Sequence, residues 1–221
     1  MKCAILACAT LQQELKRVME DTACSIPVIW LEAGDHNSPL RRREAITAAL
    51  EHCGGFDTVL LAMTLCGGAL EGICCPDKTL VLPCCDDCRA LLLGSRESVA
   101  EHGDLYLLSA GWMSGKGSIL REYEHCLETY GEKRTARIFG EMFRNYRGIG
   151  LIRFPWDEDA HLERARNFAG KLGLPLVTLP GSTAYLRALL EGKWDPERFR
   201  VFHPGQTLTR WRQCAGGEGN V

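Results

Sequence analysis

The sequence predicts an α/β protein, a three-layer sandwich built around a mostly parallel sheet of about six or seven strands. Two observations support this fold class. Short apolar runs recur along the whole chain, and amphipathic segments separate most of them. Continuous apolar runs of this length are typical of strands buried on both faces. Their alternation with helical segments is typical of right-handed β–α–β crossovers.

Each apolar run is taken as one strand and each amphipathic segment as one helix. The predicted strands are CAILA (3–7), IPVIWL (26–31), TVLLAM (58–63), TLVLP (79–83), DLYLLSA (104–110), GIGLIRF (148–154) and LPLVTL (174–179). The predicted helices cover residues 10–21, 39–53, 89–101, 117–145, 158–172 and 182–192.

Local signals at the helix starts support these boundaries. Ser38 stands before a proline, a favourable N-cap followed by a favourable first helical residue. Asp86 or Asp87 can cap the helix that follows the fourth strand. Thr10 with Gln13 matches a capping box, which predicts that the Thr10 hydroxyl caps the first helix.

Composition limits the class of protein. The chain has 221 residues, 46% of them hydrophobic and 24% charged, with a formal charge of −2. This balance gives no basic field for nucleic acid, and the apolar runs are too short to span a bilayer. We expect a cytoplasmic protein with a single α/β domain over 1–213 and a flexible tail over 214–221. The charged segment 112–147 is interpreted as a helical lid or subdomain.

The chain contains twelve cysteines. No export signal is recognisable, and in a reducing compartment thiols serve as metal ligands, redox groups or small core residues. Four of them look like core residues, namely Cys3, Cys24, Cys53 and Cys126. Whether Cys74, Cys75, Cys84 and Cys85 form a second site is left open.

Three cysteines follow three different predicted strands. Cys8, Cys66 and Cys88 each lie shortly after a strand, in a loop or in the first turn of a helix. The carboxyl ends of parallel strands meet at one edge, where ligands bind in such sheets. Three thiolates with an open fourth position suit an iron–sulfur cluster, such as a 4Fe–4S cluster, or a zinc ion. Buried structural or incidental cysteines are the competing interpretation.

Other residues at the same predicted edge are candidates for contacting a substrate. His36 is a candidate catalytic base or additional ligand, and Cys88 a candidate nucleophile at a helix start. The candidate substrate-binding residues are Asn37, Gly67, Gly68, Ser95, Arg96 and Trp112. For Arg96 a structural salt bridge is the alternative, and for Trp112 it is packing in the core.

Several motifs together resemble an uncharacterised family, a domain of unknown function. They are ACATLQQEL, DHNSPLRRRE, TLCGGALEGI, DDCRALLLGSRE, SAGW and HPGQ. The resemblance implies a protein of anaerobic bacteria and archaea, with some members encoded near corrinoid-dependent methylamine or betaine methyltransferases. Its pattern includes Cys8, Cys66 and Cys88, the same three cysteines that the strand ends select. In outline the arrangement is also similar to quinolinate synthase.

The leading hypothesis is a metal- or iron–sulfur-binding protein of anaerobic metabolism, in the setting of corrinoid or one-carbon chemistry. It would act on a small-molecule substrate or with a corrinoid-protein partner, and a homodimer is left open. Two alternatives remain. The first is a metal-free thiol enzyme with Cys88 as nucleophile and His36 as base. The second is a non-catalytic partner or chaperone of a corrinoid methyltransferase system.

Overall fold

The computed structural model describes residues 2–32, 38–75 and 77–209, and for Cys66 it describes the backbone but not the side chain. The strands in this part are β1 (Cys3–Cys8), β2 (Val28–Leu31), β3 (Thr58–Ala62), β4 (Thr79–Pro83), β5 (Leu105–Leu108), β6 (Gly148–Arg153), β7 (Leu176–Pro180) and β8 (Phe199–Phe202). The α-helices are α1 (Gln12–Asp21), α2 (Pro39–His52), α3 (Cys88–Leu93), α4 (Arg96–Glu101), α5 (Ala110–Ser114), α6 (Ile119–Phe143), α7 (Asp159–Leu172) and α8 (Ala184–Leu190). Within the described residues, 3-10 turns cover Ala9–Leu11 and Cys66–Gly68.

The strands fall into two sheets, so the α/β class and the mostly parallel arrangement are confirmed but the single sheet of six or seven strands is not found. The first sheet has the order β2-β1-β3-β4-β8, and the second has the order β5-β6-β7. All neighbouring pairs are parallel except β4 with β8. Because the unpredicted strand β8 occupies the free edge of β4, β5 cannot pair there and begins a sheet of its own.

The two sheets share one hydrophobic core. Alternate residues of a strand point to opposite faces, so Ile5 and Ala7 of β1 face one cluster while Ala4 and Leu6 face another. The cluster around Ile5 also receives α1, α3 and α8, together with side chains of β5 and of the strand ends in the second sheet. The opposite cluster lies under α2. The two sheets are therefore joined by buried apolar side chains rather than by strand pairing.

The cap predictions are confirmed at two helices and wrong at a third. The Ser38 hydroxyl accepts from the backbone N–H of Arg41, and the Asp87 carboxylate accepts from that of Arg89. Thr10 does not cap α1, because its hydroxyl donates to the sulfur of Cys8 instead. The chain enters α1 through the 3-10 turn Ala9–Leu11, which begins directly after β1.

The segment 112–147 packs against the second sheet. Helix α6 consists of two helical stretches that meet at Gly131, which has the left-handed φ of 74°. Phe139 and Phe143, after this break, are buried in a cluster with Ile149 and Leu151 of β6. Whether the segment moves as a lid stays a prediction. Among the described helices, none combines the length and the apolar character needed to cross a membrane. The predicted flexible tail, 214–221, lies outside the described residues.

Candidate functional site

Three neighbouring strands of the first sheet end beside the three cysteines. Cys8 is the last residue of β1, Cys66 lies four residues after the end of β3, and Cys88 lies five residues after the end of β4. Strand β3 pairs with β1 on one side and with β4 on the other, in parallel register. The strand order reverses at β1, since β2 lies on one side and β3 on the other. Ligands of open α/β sheets bind outside such a reversal.

Cys8 is buried on the α2 side of the sheet. Its side chain is fully buried and packs in the cluster that contains Leu6, Leu31 and Leu65. The Thr10 hydroxyl donates to Cys8 Sγ over 3.0 Å. A hydroxyl donor at this distance stabilises a thiolate more than a thiol, because it bonds to the charged form. Cys8 is therefore a soft donor whose sulfur is already oriented.

Cys66 begins a turn that only glycines fit easily. Gly67 and Gly68 follow it with φ values of 69° and 93°, in the left-handed region that favours glycine. The Arg43 guanidinium of α2 donates to the carbonyls of Gly68 and Ala69, each over 3.4 Å. These contacts tie the backbone that follows Cys66 to α2.

Cys88 is the first residue of α3 and lies on the other side of the sheet. Its side chain is 3% exposed and belongs to the cluster shared by the two sheets. Its sulfur lies 3.8 Å from the hydroxyl of Thr64, which is in the loop after β3. Because β3 lies between β1 and β4 in the sheet, this loop follows the strand between those that precede Cys88 and contain Cys8.

A cleft of about 320 Å³ opens beside Cys88. The first sheet supplies Asp87, Cys88 and Arg89 to its lining, and the second sheet with its helices supplies Tyr106, Trp112 and Glu122. A second cavity, of about 310 Å³, is lined by residues of α5 and by Gln12, Glu32 and Lys116. Both volumes are of the size that holds a small metabolite.

Charge and burial shape the cleft. Asp87 caps α3 and also pairs with the Arg89 guanidinium, and this hydrogen bonding raises the pKa of Arg89. Burial raises the pKa of Tyr106, with further contributions from Tyr146 and Glu122. The cleft therefore presents charges of both signs on an otherwise apolar and aromatic wall.

The structure brings some predicted site residues to the cleft and places others elsewhere. Trp112 lies with Cys88 at the cleft. Ser95 caps α4 by accepting from the N–H of Ser98, and Arg96 pairs with Asp86 over 3.5 Å. A substrate-binding role for these two stays a prediction. The predicted residues His36 and Asn37 lie outside the described residues.

The sequence missed Tyr106 and Glu122 as lining residues. Tyr106 interrupts the apolar run of β5, and Glu122 occupies the first turn of α6. Neither position indicates a cleft in the sequence, because the wall of the cleft forms only when the second sheet packs against α3.

The neighbouring thiols differ in their ability to ionise. Burial raises the pKa of Cys85 from 9.0 to about 12 and also raises the pKa of Cys75. A thiol with a raised pKa is a poor ligand and a poor nucleophile. Among the described side chains, ten cysteines are present as thiols rather than in disulfides. Within the described side chains, which do not include Cys66, no group of three or more metal-binding residues is arranged around one point.

Comparison with known proteins identifies one family. A family model described as "Protein of unknown function (DUF1638)" matches residues 30–190. This range is more than half of the chain and contains Cys66 and Cys88, but it begins after Cys8. No curated protein and no solved structure matches the chain. The comparisons bring no activity to this site.

Proposed function

The chain belongs to the DUF1638 family of proteins of unknown function, and from the position of its thiols we propose that it binds a metal ion or an iron–sulfur cluster through Cys8, Cys66 and Cys88. The cleft beside Cys88 then receives a small-molecule substrate. The proposed group supplies Lewis-acid or redox chemistry when it is bound. The protein supplies the ligands, the cleft and the exclusion of water.

One observation carries this proposal: the three cysteines follow three adjacent parallel strands at one edge of the sheet. Adjacent strands lie about 4.8 Å apart. Metal–sulfur bonds are about 2.3 Å long, and thiols on neighbouring strand ends can converge within that reach when the loops turn inward. The contact between Thr64 and Cys88 supports convergence, because Thr64 lies two residues before Cys66.

The donor set suits a soft centre. Thiolates favour zinc and iron–sulfur clusters over hard cations. The threonines beside Cys8 and Cys88 can act as outer hydroxyl donors, the kind of contact that orients and tunes metal ligands. Three protein ligands leave one position open. His36 remains the candidate for that position, with substrate as the alternative.

The resemblance adds a metabolic setting to this proposal. We propose anaerobic one-carbon metabolism as that setting, with a corrinoid protein as partner, because the resemblance implies proteins encoded near corrinoid-dependent methyltransferases. Pull-down with a corrinoid methyltransferase component tests the partner separately from the metal. Capture that persists in metal-free protein would favour a non-catalytic partner over a metal site.

The first experiment measures iron, zinc and acid-labile sulfide, with an absorption spectrum, on anaerobically purified protein. Cys8→Ala, Cys66→Ala and Cys88→Ala are compared with Cys85→Ala, a matched control at a buried thiol three residues before Cys88. We expect stoichiometric metal in the wild type and in the control, and its loss in the other three variants. Metal-free wild-type protein that is folded would exclude the proposal.

A metal-free thiol enzyme is the second candidate, because Cys88 alone of the three thiols lines the cleft among its described residues. In this case Cys88 is the nucleophile and His36 the base. Alkylation of metal-free protein distinguishes the candidates. A single fast reaction at Cys88, with Cys85 unmodified, would favour the enzyme, whereas protection of Cys88 by added zinc or iron would favour the metal site.

A further inference from the structure

Helix α1 buries a carboxylate on its apolar face. Leu11, Glu14, Leu15 and Val18 share one face by helical spacing, and all four are buried. Glu14 is only 1% exposed, and among the described residues neither of its carboxylate oxygens has a hydrogen-bond partner. An unsatisfied buried carboxylate is costly when charged. Its presence therefore calls for a proton or another counter-charge.

A second carboxylate, that of Asp157 from the other sheet, interacts electrostatically with Glu14. Asp157 follows β6, and its Oδ2 accepts from the N–H of Phe154 over 2.8 Å. Its Oδ1 is buried without a partner in the described part of the chain. Two contacts fix this region: Trp156 stacks on Phe154 at 4.9 Å, and the Arg17 guanidinium lies 5.9 Å from the Trp156 ring. We call this contact region the junction. In it, α1 and the Ala9–Leu11 turn pack against α5 and segment 154–157.

Nearby cations have other partners. On α1, Arg17 pairs with Glu20 and Asp21. On α8, which packs against α1, Arg187 pairs with Asp21 and Glu191.

Helix α7 follows Asp157 and carries two further groups. Arg164 donates to the carbonyl of Met113, and the Nδ1 atom of His161 is buried without a described partner. Among the described residues, Glu14 forms no ion pair with any of these cations.

Burial raises the pKa of Glu14 from 4.5 to about 7, and Asp157 adds to the increase.

We propose that Glu14 is a proton-binding group with Asp157 as its electrostatic neighbour, and that its proton makes the packing of the junction depend on pH. With its proton, Glu14 is neutral and is not repelled by the carboxylate of Asp157. Without that proton, the buried Glu14 carboxylate and the partly buried Asp157 carboxylate repel each other across the junction. Loss of the proton therefore loosens α1 from segment 154–157.

The direction of the effect follows from linkage. In an open junction Glu14 regains its ordinary pKa of 4.5, whereas in the closed junction the value is about 7. Between these values the closed state holds more protons, so its stability falls as pH rises and becomes constant above pH 7. Opening should increase by up to about tenfold per pH unit within this window.

Hydrogen exchange tests the proposal. Amide exchange is measured by mass spectrometry in segments 12–21 and 154–161 between pH 5.5 and 8, and is corrected for the intrinsic rate at each pH. We expect the wild type to lose protection in both segments as pH rises to 7. Glu14→Gln should abolish the pH dependence, since it retains the shape and cannot ionise. Glu128→Gln, an exposed control on α6, should behave as the wild type.

Three outcomes would overturn the proposal. The first is an unchanged pH dependence in Glu14→Gln. If that variant does not fold, Glu14→Leu serves the same purpose and should be more protected than the wild type above pH 7. The second is an equal loss of protection in β3, which would indicate global unfolding rather than a local opening. The third is that added Mg²⁺ or Ca²⁺ restores protection above pH 7, which would identify a cation site instead of a proton site.

Discussion

Gly111 of α5 packs directly against the backbone of Thr10 at the junction, and replacing it with alanine tests that packing. A Cβ atom at Gly111 would lie 1.9 Å from the carbonyl oxygen of Thr10 and 2.8 Å from its carbonyl carbon. Both contacts are with backbone, which cannot rotate away as a side chain can. The variant can therefore fold only if α5 moves away from the Ala9–Leu11 turn.

The cost can be estimated from overpacking. Extra methylene groups in a well-packed core destabilise by about 1–3 kcal/mol. Because the obstacle here is backbone, we expect Gly111→Ala to lie near the upper end, at about 3 kcal/mol. Gly140→Ala is the matched control. Gly140 is an exposed residue of α6 with open space at its Cβ position, so alanine should stabilise the helix by about 0.5–1 kcal/mol.

Urea unfolding followed by circular dichroism measures both variants. The midpoint should fall for Gly111→Ala and rise slightly for Gly140→Ala, with the same slope for both if the unfolded states are alike. A Gly111→Ala protein as stable as the wild type would refute the close approach of α5 to Thr10. Equal destabilisation of both variants would show that the loss comes from the glycine substitution in general and not from the junction.

Two further predictions concern the loop after β4. At pH 8 iodoacetamide should modify Cys85 far more slowly than the exposed Cys74 in native protein. The reason is that a pKa of about 12 instead of 9.0 lowers the thiolate fraction of Cys85 about a thousandfold. Comparable rates, measured by peptide mass spectrometry, would contradict the burial of Cys85. Asp87→Ala should lower the free energy of unfolding by about 1–2 kcal/mol through loss of the α3 cap, and Asp87→Asn should lose less in the same urea titration because an asparagine oxygen can still cap.

Strand positions were predictable because buried parallel strands carry a continuous apolar signal. Each of the predicted strands is present, and the run at 148–154 corresponds to β6 at Gly148–Arg153. Strand β8 gives no such signal, since its sequence FRVF alternates with a charge and its burial is mostly partial. Because β8 closes the edge of β4, missing it led directly to the prediction of one sheet instead of two.

Two side chains show where local pattern fails. The capping box predicts that the Thr10 hydroxyl caps α1. In the folded chain the sulfur of Cys8 lies 3.0 Å away, and the hydroxyl donates to it instead. Glu14 was overlooked although its spacing from Leu11 and Val18 places it on the buried face of α1. A charged residue at an apolar position of a helical pattern is thus a usable signal for an unusual ionisable group.

The candidate site was predictable only in part. Strand ends select Cys8, Cys66 and Cys88 because the chain direction of parallel strands places their carboxyl ends at one edge. Trp112 was among the predicted substrate-binding residues and lines the cleft, but Tyr106 and Glu122 were not predicted, because they come from the second sheet and its helices. Their approach to Cys88 depends on long-range packing, which no spacing along the chain encodes.

Thr10 links the thiol edge to the junction. Its hydroxyl donates to Cys8, while its backbone is the surface against which Gly111 packs. Trp112, the residue after Gly111, lines the cleft with Cys88. A ligand held by Cys8 and Cys88 would therefore depend on the position of α5 against the Ala9–Leu11 turn. It follows that Gly111→Ala should lower metal content as well as stability if the thiols form one centre, whereas Gly140→Ala should leave the metal content unchanged.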